Sequence, residues 1–135
     1  MDTEETIRIH QYQIISRDAR SALCEKMEDA SEKEKLKMKQ AIRINDRVFH
    51  QANELWFMLH YPCYLYRCAK ENNDIKQEKS YRRHMESQDR KIVSAMSKIF
   101  VARERIKENP YIHLFDPLYD CINDILINKR SQYFA

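Results

Sequence analysis

Met38–Ala69, MKQAIRINDRVFHQANELWFMLHYPCYLYRCA, is the stretch that decides the predicted fold. Apolar side chains recur in it every three or four residues, which places them on one side of a helix. With one asparagine among them, they are Met38, Ala41, Ile42, Asn45, Val48, Phe49, Ala52, Leu55, Trp56, Leu59, Cys63 and Tyr66. A face this broad is typical of a helix that packs on two or three neighbours. We therefore predict that this stretch forms the central helix of the core.

The composition of the 135-residue chain favours the same fold class. The chain contains no glycine and only three prolines, which argues against a turn-rich β fold. Its length is that of one domain with a single core. We predict one all-α domain over residues 1–135, an antiparallel bundle of about four helices.

Two sequence signals predict where the first two helices meet and where the second is interrupted. The run Ser31-Glu32-Lys33-Glu34 is a capping box, with Ser31 as N-cap, that would start the second helix. One unbroken helix through Ser31 is the alternative, because no glycine or proline lies there. Pro62 lacks an amide donor, so we predict that the second helix is kinked or broken at Pro62.

The remaining boundaries follow from charged and proline-containing stretches. The third helix should begin between Ile75 and Ser80 and end near Glu108, before Asn109-Pro110. Asp116 is predicted to cap the last helix, with Pro117 at its first position. The two aromatic residues of the tail 131–135 are expected to fold back on the core, and docking elsewhere is the alternative.

The octapeptide HQANELWF, residues His50–Phe57, resembles the HQxxELWF-type signature of the tryptophan 2,3-dioxygenase family. The resemblance implies a helical scaffold in which His50 would face a substrate indole above a haem. The family's glycine-rich substrate loop has no counterpart in a chain without glycine. We therefore expect a related scaffold without tryptophan oxidation, and haem is only an alternative cofactor.

The same octapeptide supplies the candidate ligand site. His50 and Glu54 are four residues apart, so they share a helix face on which a carboxylate can orient an imidazole. Together with Trp56 and Phe57 they could hold a polar ligand against aromatic rings. The alternative interpretation is an ion pair at the surface beside a core tryptophan.

A second candidate is a basic face on the third helix. At about 100° per residue, its members gather opposite the apolar side of that helix. We call Lys79, Arg83, Arg90, Lys91, Lys98 and Arg105 the basic face. Such a face could meet the phosphates of a nucleic acid. Alternatively, it is solvated, or the acidic first helix lies beside it and neutralises it.

Other site classes have little support in the sequence. His60, Cys63 and Cys68 have ligand chemistry but lack the spacing of a zinc site, so we predict no metal. No nucleophile, base and orienting group occur together, and we assign no catalytic residue. The start of the chain does not resemble a secretory signal. No apolar run approaches the ~20 residues that span a bilayer. We therefore expect an intracellular, cytoplasmic protein without membrane contact.

These observations favour a small non-catalytic helical protein that acts through protein–protein interaction or self-association. The first alternative is a haem- or indole-type small-molecule binder on the dioxygenase-like scaffold. The second is nucleic-acid binding through the basic face. An enzyme is the less favoured interpretation.

Overall fold

The computed structural model describes residues 3–129 and confirms an all-α helical bundle. Its four helices are α1 (Thr3–Met27), α2 (Glu32–Glu71), α3 (Ile75–Arg105) and α4 (Asp116–Asp124). A 3-10 helix, Pro110–Phe115, precedes α4, and a π-helical turn, Ile125–Lys129, follows it. The prediction for the tail 131–135 lies outside the described residues.

Helix α2 is the central element, as its sequence predicts. It packs against α1, α3, α4 and the 3-10 helix. Gln13 bonds to Asn53 while Arg20 bonds to Asp46, so α1 and α2 run antiparallel. Arg82 bonds to Tyr66 near the start of α3, which sets α3 antiparallel to α2 as well.

The core is built around the predicted face of α2, with a small rotation. Leu55 and Leu59 are fully buried, and Met58 is almost fully buried. Trp56 and Tyr66, which the sequence places on the same face, are only half-buried. The apolar face is broader than the groove its neighbours form, so one flank of it stays near the surface.

The connection between α1 and α2 follows the capping-box prediction. The Ser31 side chain accepts a hydrogen bond from the backbone N–H of Glu34, and α2 begins at the next residue, Glu32. The alternative of one unbroken helix is therefore wrong. The connection between α2 and α3 is also short. Asn73 takes a positive φ of 56°, and the Asp74 side chain caps α3 by accepting a hydrogen bond from the backbone N–H of Gln77.

Helix α2 is not broken at Pro62, and this part of the prediction is corrected. Pro62 has no N–H to donate to the carbonyl of Met58, four residues earlier. The Cys63 thiol donates to that carbonyl instead, with 3.6 Å between Sγ and O. Burial raises the pKa of the Cys63 thiol, so it keeps its proton at neutral pH. The Met58 carbonyl is thus satisfied inside a continuous helix.

Asp116 does not cap α4, which corrects a second boundary prediction. The 3-10 helix runs directly into α4, and the Asp116 backbone N–H already donates to the His113 carbonyl. Asp116 is therefore the first residue of α4, and its carboxylate pairs with Arg103 and with His113.

Helix α3 ends at Arg105, three residues before the predicted Glu108. The backbone N–H of Ile106 donates to the carbonyl of Arg103, which closes a tighter turn there.

A double-mutant cycle at Pro62 and Cys63 tests how α2 stays continuous. We expect Cys63→Ala to lower the free energy of unfolding by about 1 to 2 kcal/mol, because a buried carbonyl loses its donor. In the Pro62→Ala background, the new N–H at position 62 can replace the thiol. The effect of Cys63→Ala should then be smaller by about 0.5 to 1 kcal/mol in urea unfolding. Equal effects in both backgrounds would contradict this account.

Candidate binding surfaces

His50 and Glu54 lie on the outer side of α2, one helical turn apart. His50 Nε2 and Glu54 Oε1 are 3.9 Å apart, which is beyond hydrogen-bond distance. The His50 side chain is 66% exposed. The pair is therefore a loose contact at the surface and not a buried acid–base pair.

Trp56 is held among other rings instead of beside His50. Its indole stacks on His60 with ring centroids 5.0 Å apart and an interplanar angle of 11°. His10 of α1 and Phe57 meet the indole edge to face, at 5.1 and 5.0 Å. The Nε1 atom of Trp56 is buried and finds no hydrogen-bond partner within residues 3–129.

Only two of the four predicted ligand residues line the hollow between α2 and α3. Glu54 and Phe57 border a hollow between α2 and α3 of about 120 Å³, together with Met58, Tyr61, Pro62, His84 and Gln88. His50 and Trp56 are absent from its lining. Pockets that enclose small ligands usually measure at least ~300 Å³. This hollow is therefore the size of one inserted side chain, well below that of a haem.

What the fold brings together is a larger aromatic surface that sequence reasoning did not single out. It consists of His10, Trp56, Phe57, His60, Tyr61 and Tyr64, and we call it the aromatic surface. Phe57, Tyr61 and Tyr64 are 57%, 59% and 62% exposed. These three recur at spacings of three and four residues on the outer side of α2. That spacing was the available sequence signal.

The aromatic surface contains a second hollow and has apolar neighbours. His60, Tyr61, Tyr64 and Arg67 line a hollow of about 350 Å³ beside the first. On α1, the exposed Ile7 and Ile14 lie three residues before and four after His10, so they share its helix face. Contiguous exposed apolar groups of this kind mark interaction sites more often than isolated ones do.

The basic face of α3 is exposed at all six of its residues. Between Ile75 and Lys98, every acidic residue of α3 is buried or half-buried, so no exposed acid interrupts this stretch. Glu86 pairs with Arg82, and Asp89 is 4% exposed. The positive charge of this face is therefore presented to solvent.

Helix α1 does not neutralise the basic face through ion pairs. It packs against α2 and α4. Its cations Arg8 and Arg20 pair with Asp124 and Asp46. Within residues 3–129, no ion pair joins an acidic residue of α1 to a residue of the basic face.

A third hollow, of about 600 Å³, lies between α3 and α4. It is mainly apolar, and its lining residues are Val93, Met96, Ser97, Phe100, Val101, Tyr119, Asn123, Leu126 and Ile127. The Ser97 hydroxyl donates to the Val93 carbonyl, and the Tyr119 ring lies under the Arg103 guanidinium at 3.8 Å. The lining thus contains no base positioned to activate a nucleophile.

Comparison with known proteins identifies no relative. No family model, curated protein or solved structure matches the chain. The dioxygenase resemblance therefore stays a prediction.

Residues 3–129 contain no group of three or more His, Cys, Asp or Glu side chains arranged to hold a metal ion. No helix in the same range is long and apolar enough to cross a membrane.

His50→Ala tests whether this histidine is part of the folded scaffold. Because His50 is exposed and only loosely paired, we expect a change of less than about 0.5 kcal/mol in the free energy of unfolding. Leu55→Ala, at a fully buried site on the same helix, should cost about 2 to 5 kcal/mol and serves as the control. A comparable loss for both variants in thermal or urea unfolding would show that His50 supports the core.

Proposed function

We propose that this chain is a non-catalytic helical interaction protein that self-associates through the aromatic surface. The observation that carries the proposal is the exposure of Phe57, Tyr61 and Tyr64, each more than half exposed on one side of α2. Aromatic residues are enriched in protein interfaces because each ring buries a large apolar area and loses few rotamers. Tryptophan and tyrosine, with arginine, are also enriched among the few residues that dominate binding energy.

The surroundings of Trp56 support the same interpretation. A buried N–H without a hydrogen-bond partner lowers the stability of the fold by roughly 1 to 3 kcal/mol. Aromatic rings that stay exposed to solvent do not contribute the stability that burial in the core would give. Both features lie in the aromatic surface, where Trp56 contacts Phe57 and His60. Departures from the rules of stable packing are most expected where a surface has a function.

The shape of the aromatic surface favours a second copy of this chain as the partner. A two-fold interface places one surface against itself, so it needs both projections and recesses. Tyr61 lines both hollows and therefore stands between them. An exposed ring of one copy can enter the larger hollow of the other, which is lined by His60, Tyr61, Tyr64 and Arg67.

Charge also selects this side of the molecule for self-association. Two basic faces would repel each other, because like charges placed together across an interface are unfavourable. The six residues of the aromatic surface include no acid and no permanent cation, and its two hollows add one residue of each sign, Glu54 and Arg67. Two copies can therefore approach there with little electrostatic opposition.

The haem- or indole-binding alternative has weaker geometric support. His50 and Trp56 lie six residues apart, which turns them about 120° from each other around α2. His50 therefore borders neither Trp56 nor the hollows described above. We keep this alternative as the function implied by the family resemblance, and self-association as the proposal.

The double variant Phe57→Gln, Tyr61→Gln tests self-association. Glutamine is a good helix former and carries no charge, so the fold and the net charge are kept. We expect the natural chain to sediment as a dimer of 16.4 kDa subunits and the double variant as a monomer. Sedimentation velocity over a range up to about 100 µM covers the affinities expected of such an interface.

Leu36→Gln is the matched control for that experiment. Leu36 is also on α2 and is 60% exposed, but it lies near the start of the helix, away from the aromatic surface. It should leave the dimer intact. A natural chain that is monomeric throughout, or a dimer that survives the double variant, would disprove self-association at this surface.

A further inference from the structure

We infer that the outer side of α3 binds the phosphate backbone of a nucleic acid. This inference does not depend on the proposed self-association, because it concerns another helix and other residues. The sequence left open whether the basic face is paired within the molecule. Its exposure and its lack of ion pairs within residues 3–129 favour an external anion.

Six of the nine lysines and arginines of α3 form two successive rows along the helix, five of them from the basic face together with Lys76. Lys76, Arg83 and Arg90 are seven residues apart, and so are Lys91, Lys98 and Arg105. A seven-residue interval drifts only about 20° around a helix, so each row stays on one side. Each interval rises about 10 Å, and the whole stretch spans about 44 Å. A partner must therefore present negative charge repeatedly over a long distance.

The other exposed side chains of residues 76–98 suit contact with a phosphate backbone better than contact with a protein or a membrane. The exposed Ser80 and Ser94 lie in this stretch, and hydroxyls commonly donate to phosphate oxygens. From Lys76 to Lys98 the exposed residues of α3 are all polar or charged. Protein interfaces need apolar or aromatic anchors, and helices on membranes need an inserted apolar side. Residues 76–98 offer neither, because the exposed apolar residues of α3, which are Ile75, Phe100 and Val101, lie at the two ends of the helix.

The electrostatic background of α3 supports attraction of a polyanion. Residues 75–105 contain nine lysines and arginines and four aspartates and glutamates. Of those four acids only Glu104 is exposed, near the end of the helix. Positive charge arranged in this way neutralises phosphates and releases their counterions, which drives binding without sequence recognition.

The test measures binding of labelled oligonucleotides of about 20 residues by fluorescence anisotropy at several salt concentrations. The arms are duplex DNA, duplex RNA and the corresponding single strands, which distinguish the possible sources of the phosphate backbone. We expect the affinity of at least one arm to fall steeply with salt. Arg83→Gln with Arg90→Gln should weaken that binding about tenfold or more and lower the salt slope by about two.

The matched control is Lys26→Gln with Lys33→Gln, which removes the same charge near the connection between α1 and α2. Those two lysines are exposed and lie outside α3, so binding should change little. The inference is overturned if no oligonucleotide binds, or if both double variants weaken binding equally. Equal or tighter binding of polyglutamate, or of vesicles with anionic lipids, would also overturn the assignment to nucleic acid.

Discussion

The continuity of α2 through Pro62 is the constraint on which the rest of the bundle depends. Helix α3 lies along α2 on both sides of that proline, since Arg82 meets Tyr66 beyond it and Gln88 shares a hollow with Glu54 before it. A break would separate these two contacts. The Cys63 thiol donates to the carbonyl that proline cannot satisfy, so no buried acceptor is left unpaired at this point. The continuous 40-residue helix thus packs against α1, α3, α4 and the 3-10 helix.

The same constraint places the two proposed binding surfaces on the outside of the bundle. A single long helix with neighbours on several sides buries its broad apolar face unevenly. Leu55 and Leu59 are enclosed by neighbours, while Phe57 and Tyr61 face outward beside them. Helix α3 turns Met85, Ile92 and Ile99 toward the core, which leaves its cations on the opposite side. An aromatic surface and a basic face therefore arise on adjacent helices of the same bundle.

Local signals predicted the secondary structure well because they act within a few residues. The capping hydrogen bond of Ser31 and the helical period of α2 depend only on nearby sequence, and both are present. Asp116 was wrong as a cap because its backbone N–H was already bonded to His113 in the preceding 3-10 helix. Whether a helix starts from a free end or continues from another turn depends on packing, which the local pattern does not contain.

The candidate sites were less predictable for a related reason. A periodic pattern identifies an apolar face but not which part of it a neighbour covers. Trp56 was therefore assigned to the core, whereas it lies half-buried among His10, Phe57 and His60. The basic face was recognised because charged residues on a helix stay outside wherever it packs. Whether α1 would pair with the basic face depended on tertiary contacts, which the sequence does not contain.

The most direct measurement of the central claim uses Trp56, the only tryptophan in the chain. Acrylamide quenching of its fluorescence can be compared at protein concentrations well below and well above association. If a second copy covers the aromatic surface, quenching should become weaker at high concentration as the indole loses access to solvent. Unchanged quenching across a concentration range in which the mass doubles would place the interface elsewhere and contradict the account.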